Sequence, residues 1–348
     1  LGNDTVCGGA GNDALFGGNG DDLIVDGGGT DTIFAHAGDD RITIQADDSR
    51  DIIYAGEGDD VILVQGGSDE SYERYSSDTA FGDDGNDIIS ILFSTATVYG
   101  GHGNDSVRFE EPLNTLDAQC IAYGGSGNDR ISAVGYYNDE ATLYGDAGDD
   151  SLLGSVLFGG LGNDIVEVAF YGTAYGDTGN DTLIGGDFVY HGYHGGSLDG
   201  GDGDDLILGG SDDRAAGGAG NDVIRAANIW GGSGFDTFYF RGVTFDGYFG
   251  DKAGYVNVYD YEDAENITLS GARRLIVDPV TGDITTAQFQ RSDLELVRVG
   301  DDLVLNGPPT TGYYGVSDSE RSSLVLTGFF ARGLTSVTID GVTEYVSL

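Results

Sequence analysis

The sequence predicts an all-β chain in which a short unit repeats to build a solenoid. One observation is a glycine-rich hexad, G-G-x-G-[N/D]-D, and the other is an apolar residue two places after its closing aspartate. Hexads occur at 8–13, 17–22, 100–105, 124–129, 159–164, 217–222 and, with Phe235 in fifth place, 231–236. The closing aspartates are Asp4, Asp13, Asp22, Asp31, Asp40, Asp51, Asp60, Asp87, Asp105, Asp129, Asp150, Asp164, Asp181, Asp205, Asp222 and Asp236. All 16 are followed by such an apolar residue, which excludes coincidence and indicates a repeat architecture.

The amino-acid composition excludes several other classes of protein. The 348 residues include 62 glycines but only 4 prolines, which excludes a collagen-like chain. A hydrophobic share of 39% is too high for a disordered acidic tail. Sixty acidic residues against 15 basic ones give a net charge of -45, so the chain should repel nucleic acid and anionic membranes and attract cations. No apolar run approaches the roughly 20 residues of a membrane helix.

The repeat resembles the G-G-x-G-x-D-x-U-x nonapeptide of the repeats-in-toxin (RTX, haemolysin-type) family of type I secreted bacterial proteins. The resemblance covers about residues 1–240. It implies a right-handed parallel β-roll in which six residues form a turn, three form a strand and two nonapeptides form one coil. It also implies calcium ions between stacked turns, so that an interior aspartate bridges two ions.

The chemistry of the turn agrees with that implication. Consecutive glycines permit positive φ and close backbone approach. Calcium takes 6–8 oxygen ligands, which two stacked turns can supply together and one turn cannot. The candidate ligands are the closing aspartates and residues of the turns before them. They are Asp4, Gly8, Ala10, Asp13, Gly17, Asn19, Asp22, Asp31, Asp40, Asp60, Gly82, Asp84, Asp87, Gly100, His102, Asp105, Gly124, Ser126, Asp129, Gly145, Ala147, Asp150, Gly159, Leu161, Asp164, Gly176, Thr178, Asp181, Gly200, Asp202, Asp205, Gly217, Ala219, Asp222, Gly231, Ser233 and Asp236. Pairing neighbours on one edge predicts roughly 12–14 ions.

The spacing of the aspartates predicts two regimes. Up to Asp40 the interval is nine residues, so both edges of the roll should carry turns. The turn before Asp51 lacks glycine, so no site is predicted there. After Asp87 the intervals lengthen to between 14 and 24, which indicates one calcium edge and one edge of variable loops near 94–96, 110–119, 135–141, 170–173, 187–197 and 209–214. Those loops are either tolerated insertions or a specific binding surface.

An aromatic residue often precedes the hexad, as at Phe16, Phe81, Tyr99, Tyr123, Tyr144, Phe158, Tyr175 and Trp230. Equivalent residues of successive coils should stack into a ladder. We expect this ladder to fill the roll and shield the calcium edge. A strip that binds carbohydrate is the alternative.

The repeats end at Asp236, and we expect residues 241–348 to form an antiparallel β cap over the roll of residues 1–240. A solenoid needs such a cap because its last coil otherwise exposes a bare sheet edge. The segments at 256–269, 294–305 and 323–330 resemble cap strands of the family. The ending, Glu344 to Leu348, resembles the uncleaved type I secretion signal.

These observations favour a binding or structural module of an extracellular bacterial protein, such as a surface layer, adhesin or matrix, that folds on calcium after type I secretion. Self-association, glycans or a cell surface are the partners considered, besides the secretion machinery. Nucleic acid and a membrane span are not expected. The alternative is the secretion and folding module of an enzyme or toxin whose catalytic domain lies upstream of Leu1. The chain opens on the tail of a repeat, so we expect the array to begin before Leu1: further repeats there would favour the structural module, and a catalytic domain the alternative. Neither H-E-x-x-H, G-x-S-x-G nor a phosphate loop occurs, so the chain itself is not expected to be an enzyme.

Overall fold

The computed structural model describes residues 1–47, 49–66, 77–92, 95–110, 120–134, 141–185, 195–210, 213–239, 255–260, 266–268, 273–277, 284–288, 295–299, 302–309, 321–326, 329, 334, 336–339 and 342–345. These residues form strands, turns and bends and no helix, so the described part holds no helix long and apolar enough to cross a membrane. The chain divides into two compact units, Leu1–Asp181 and Thr182–Leu348.

The first unit consists of 16 strands. They are β1 (Thr5–Cys7), β2 (Ala14–Asn19), β3 (Leu23–Asp26), β4 (Thr32–Ala37), β5 (Arg41–Asp47), β6 (Ile52–Glu57), β7 (Val61–Gly66), β8 (Ser77–Asp84), β9 (Ile88–Leu92), β10 (Thr95–His102), β11 (Ser106–Glu110), β12 (Ile121–Ser126), β13 (Arg130–Val134), β14 (Thr142–Ala147), β15 (Ser151–Leu161) and β16 (Ile165–Thr178).

Each of the strands β1 to β13 pairs in parallel with the strand one coil further on, not with its neighbour in the chain. The odd-numbered strands β1 to β13 form one parallel series, and the even-numbered strands β2 to β14 form another. The long strands β15 and β16 extend both series, with a register shift between Gly154 and Val156. This pairing is that of a parallel β-solenoid, as predicted.

Alternation along each strand places the predicted apolar residue inside. Ile24, Ile33, Ile42 and Ile53 have no exposed surface, and the equivalent residues of later coils are also buried. Side chains alternate between faces of a strand, so the residue before and the residue after each of these point outward. The residue two places after each closing aspartate therefore points into the interior, which explains why it is apolar in every repeat.

The aromatic ladder exists but lies on the outer face. Phe16, Phe34, Tyr54, Phe81, Tyr99, Tyr123, Tyr144, Phe158 and Tyr175 stack in order with ring centroids 4.8–5.3 Å apart and planes within 10°. The expectation that they fill the roll is wrong: Phe16 is 57% exposed, Tyr99 is 37% exposed, and the rings alternate with the buried residues on either side. Because the rings stack face to face, they present their edges to solvent.

Removing one ring from the middle of the ladder should destabilise the first unit. Tyr123 stacks on Tyr99 at 5.0 Å and on Tyr144 at 4.8 Å. Each aromatic pair contributes about 0.5–1.5 kcal/mol beyond area burial, so Tyr123→Ala should lower the free energy of unfolding by about 1–3 kcal/mol. Urea unfolding at saturating calcium measures this. Tyr123→Phe is the control, since Phe81 and Phe158 occupy the same column, and an equal stability of all three proteins would contradict the stacking contribution.

The described residues of the second unit also form 16 strands. They are β17 (Thr182–Ile184), β18 (Ser197–Asp202), β19 (Leu206–Leu208), β20 (Arg214–Ala219), β21 (Val223–Arg225), β22 (Asn228–Ser233), β23 (Thr237–Tyr239), β24 (Tyr255–Val258), β25 (Asn266–Thr268), β26 (Arg273–Val277), β27 (Ile284–Gln288), β28 (Glu295–Val299), β29 (Asp302–Pro309), β30 (Arg321–Leu326), β31 (Ser336–Ile339) and β32 (Val342–Tyr345).

Parallel pairing continues beyond the last repeat before antiparallel pairing begins. β24 and β25 pair in parallel with β22 and β23, and β30 and β31 continue both series. The predicted antiparallel strands of the cap follow: β28 with β29, β29 with β30, β31 with β32, and β26 with β27 as a separate pair. Strands β30 and β31 therefore belong to both arrangements: each extends a parallel series of the solenoid and also pairs with an antiparallel neighbour.

The last turn of the repeats is covered by the bend that follows β24. The amides of Gly231 and Gly232 donate to the two carboxylate oxygens of Asp260 at 2.7 and 3.1 Å. Tyr259 stacks on Trp230 with ring centroids 4.4 Å apart. The exit sequence thus satisfies backbone donors that a bare terminal coil would leave open.

Several sequence expectations concern residues outside the described ranges. Most of the predicted variable loops fall there, as do the last three residues of the proposed secretion signal. Neither Cys7, which is exposed, nor Cys120, which is buried, forms a disulfide.

Candidate metal centre

One edge of the first unit carries a continuous ladder of buried aspartates. In each coil the aspartate amide donates to Oδ1 of the aspartate one coil on, at 2.7–2.8 Å, through Asp4, Asp22, Asp40, Asp60, Asp87, Asp105, Asp129, Asp150, Asp164 and Asp181. In the second unit, Asp205 and Asp222 donate in the same way to Asp222 and Asp236 at 2.9 Å. After Asp4, each ladder aspartate is at most 2% exposed. The predicted closing aspartates are thus brought into register on one edge.

The second carboxylate oxygen lacks a hydrogen-bond donor in the ladder aspartates from Asp22 to Asp164 and in Asp222. Oδ2 is buried without a partner in Asp22, Asp40, Asp60, Asp87, Asp105, Asp129, Asp150, Asp164 and Asp222. It lies beside the first glycine of its own turn, where a Cβ added to Gly82 would collide with both Asp87 Oδ2 and the carbonyl of Gly100. The same arrangement occurs at Gly100, Gly124, Gly145 and Gly159. Each carboxylate therefore has one oxygen toward the preceding coil and one toward the next.

The carbonyl of the first hexad residue and the carboxylate of the closing aspartate, both predicted to be calcium ligands, thus lie close together. The carbonyls of the third hexad residues already accept one hydrogen bond each. The glycine amide of one coil donates to the third-position carbonyl of the next, as from Gly103 to Ser126 at 2.8 Å. The carbonyls of Asn19, Asp84, His102, Ala147, Leu161, Thr178, Ala219 and Ser233 accept the same bond. A carbonyl has two lone pairs, so one lone pair of each is still available to a cation.

Positive φ in the turn keeps these carbonyls in register. At the second and fourth places of the hexad, Gly101 has φ of 117° and Gly103 has φ of 128°. Non-glycine residues occupy the second place in four coils, where His36, Asp83, Asp146 and Asp177 adopt φ of 71–85°. Aspartate tolerates this left-handed region better than most residues. Glycine at the fourth place is therefore the stricter requirement in the described turns.

Burial raises the carboxyl pKa values along the ladder. Loss of hydration brings the pKa of Asp60, Asp87, Asp129 and Asp150 to about 7, although the amide of the preceding coil's aspartate lowers it in part. Neighbouring carboxylates raise it further. The pKa of Asp164, Asp181 and Asp222 rises to about 6 for the same leading reason. Near neutral pH these buried carboxyls therefore need either a bound proton or a cation to balance their charge.

The second edge has its own shorter ladder. Asp13, Asp31 and Asp51 donate to Oδ1 of Asp31, Asp51 and Asp78 at 2.7, 2.9 and 3.0 Å. The two-edge regime is confirmed, and Asp51 belongs to its ladder despite a turn without glycine. The next positions in register are Ala96, Cys120 and Ala141, which are all buried and carry no carboxylate. This is why the second edge loses its acidic column in later coils.

Sequence reasoning missed three buried aspartates. Asp78 continues the second-edge ladder, and Asp213 accepts the amides of Gly196 and Gly210 at 2.7 and 2.5 Å. Both are followed two places on by a buried alanine, the small end of the apolar pattern, and that signal could have found them. Asp26 lies at the end of β3 and fits no closing position of the repeat.

The donor set fits calcium. It consists of carboxylate and carbonyl oxygens, which are the ligands of a hard cation, and it holds no thiolate or imidazole that would favour a transition metal. Buried oxygens without a hydrogen-bond partner recur in successive coils from Asp22 to Asp164, where an ion would satisfy them. The glycine positions leave room for close approach that a side chain would fill.

The sequence model of the RTX calcium-binding nonapeptide repeat matches the chain at 1–15, 16–43, 43–70, 75–90, 121–133, 138–167, 173–188 and 209–238, together about half of its residues. The chain belongs to the RTX calcium-binding repeat family. Calcium is accordingly the ion of this RTX chain.

A solved structure resembles this RTX chain in fold. It is a hyperactive, Ca²⁺-dependent, β-helical antifreeze protein from an Antarctic bacterium, with 20% sequence identity and a TM-score of 0.54. The match covers 97% of this chain and 95% of that one. At this identity the likeness concerns the solenoid alone. Comparison with curated proteins gives no match.

Proposed function

We propose that this RTX chain is a calcium-loaded structural module of an extracellular bacterial protein, of the surface-layer, adhesin or matrix type. The observation that carries the proposal is the aspartate ladder, in which the buried carboxylates of successive coils from Asp22 to Asp164 each keep one oxygen without a donor. A chain of net charge -45 concentrates part of its charge in these columns, where it opposes folding unless cations bind.

In this proposal the ions lie between coils and hold the turns together. Their ligands are the closing carboxylates, the first-position carbonyls that face them, and the second lone pair of the third-position carbonyls. A carboxylate with one oxygen toward each neighbouring coil serves two ions. Roughly 12–14 ions would bind by the six-to-eight-ligand rule.

Calcium binding is then coupled to folding, because the sites do not exist in the unfolded chain. Such a protein stays unfolded in calcium-poor cytosol, passes through a type I exporter and folds outside, where calcium is about millimolar, the regime of extracellular sites. The roll of residues 1–240 and the cap of residues 241–348 are the proposed domains. The proposed activity is scaffolding and binding, without catalysis.

Two adjacent aspartates offer a matched test. Asp150 is buried and serves the ladder, whereas Asp149 is exposed, and Asn128 and Asn163 occupy its column in the neighbouring coils. Asp150→Asn should remove about two bound ions, because its oxygens face two intercoil spaces, while Asp149→Asn should keep the wild-type number. Both variants lose one charge, so net charge cannot explain a difference.

Ions per chain are counted by elemental analysis after gel filtration at fixed free calcium. Loss of a single ion from Asp150→Asn would refute the bridging role of the carboxylate. An unchanged count in both variants would remove the ladder from the calcium sites altogether.

A further inference from the structure

Asp26 occupies a position that the repeat normally gives to glycine or an apolar residue. It stands at the first place of the second-edge turn that closes at Asp31, opposite Gly8 of the preceding coil, since Ala10 bridges to Gly28. In the following coil its register partner is Ile44. A carboxylate has therefore replaced an inward-facing neutral residue in a single coil.

The Asp26 side chain is buried and half satisfied. It is 1% exposed, and its Oδ1 accepts the amide of Gly27 at 2.8 Å. Its Oδ2 is buried without a hydrogen-bond partner. The carboxylate lies directly against Gly8, where an added Cβ would collide with Oδ1 and approach Cγ to 3.0 Å. The absence of a side chain at Gly8 is what admits Asp26 to this place.

Two ladder aspartates complete a cluster around Asp26. One carboxylate oxygen each from Asp13, Asp26 and Asp31 lies within 4.8 Å of the other two. Asp13 also has a buried Oδ2 without a partner, and Asp31 is 1% exposed. Two ligands of one calcium ion can be at most about 4.6–5.2 Å apart, twice the calcium–oxygen distance, so a single ion can contact all three.

We propose that Asp13, Asp26 and Asp31 form a calcium site with three carboxylate ligands that binds calcium more tightly than the sites built from the repeat alone. Calcium affinity rises with the number of charged ligands, and a buried trio of carboxylates is unfavourable without a cation. The ion would join the first two coils of the second edge. This inference rests on the proposed calcium loading of the ladders and adds a ligand outside the repeat motif.

The test compares Asp26→Asn with Asp21→Asn in the full-length chain. Asp21 is exposed at the fifth place of the neighbouring turn, where asparagine occurs in other coils, so the turn should tolerate the change. Both variants lose one negative charge, so net charge cannot explain a difference between them. Asp26→Leu is a second variant, because it places an apolar side chain where the next coil has Ile44. It keeps the interior packed even if the buried amide of Asp26→Asn disturbs the coil.

Hydrogen exchange at a series of free calcium concentrations reports the site locally. The amides of Gly8, Gly11 and Gly28 bond across the first two coils at 3.2, 2.7 and 2.9 Å. In both Asp26 variants their protection should require at least about tenfold more calcium than in the wild type. At a free calcium concentration between the two midpoints, the variants should hold about one ion fewer. Asp21→Asn should match the wild type, and the turn at 100–105 should be unchanged in every protein.

Equal calcium midpoints and ion counts in the wild type and both Asp26 variants would overturn the three-carboxylate site. Failure of the broader proposal looks different. In that case the wild type itself would show calcium-independent protection in both the first coils and the turn at 100–105.

Discussion

Removing calcium at neutral pH is expected to abolish most of the β-sheet circular dichroism of this chain. Without the ions, the ladder aspartates of successive coils repel one another at coil spacing in a buried environment, and carbonyls on both edges lose their partner. One site at 100 times its dissociation constant contributes about 2.7 kcal/mol of stability. A domain has only about 5–15 kcal/mol in total, so the loss of a few sites is sufficient to unfold it.

The measurement is far-ultraviolet circular dichroism with gel filtration, before and after chelation. The chelator together with excess calcium is the control, and re-addition of calcium should restore both the signal and the compact elution volume. Magnesium should restore little, since it demands near-ideal octahedral geometry at shorter distances than these turns offer. A chelated protein that stays compact and β-rich would contradict calcium-dependent folding.

The regular part of this structure could be predicted because each coil repeats one local rule. An aspartate such as Asp105 and the apolar Val107 after it follow from the period alone, and so does the stacking of equivalent coils. The presence of aspartate ladders on two edges was also predictable, because a nine-residue interval places alternate turns on opposite edges. The closing aspartates lie where that arithmetic puts them.

What escaped prediction depends on contacts between coils that no single repeat contains. Asp78 follows a long insertion, so its interval from Asp51 hides its ladder position. Asp26 is recognisable only once Gly8 and Asp13 lie beside it. The aromatic column was predicted on the wrong face of the strands for a different reason. Ring stacking is compatible with either face, and the face is decided by the alternation of side chains counted along the strand from the closing aspartate.

The pH dependence of folding should reverse when calcium is removed. In the calcium-free protein the ladder carboxyls have pKa values raised from 3.8 to about 6–7 by burial, so the folded state binds more protons than the unfolded one. Their contribution to stability is fully present below about pH 4 and is lost as the pH rises through about 6–7. Acidification of the chelated chain from pH 8 to pH 5 should therefore recover part of its β structure.

With calcium present the sign is opposite, because a bound ion requires the ionised carboxylate and protons compete for the same oxygens. The calcium concentration at the folding midpoint should rise as the pH falls from 8 to 5. Circular dichroism of dilute protein, dialysed free of metal and then titrated with calcium at each pH, measures both effects on one sample. A midpoint independent of pH would mean that the ladder carboxylates are not the groups that calcium binds, whereas opposite slopes with and without calcium would identify protons and calcium as alternative counter-charges for one buried column.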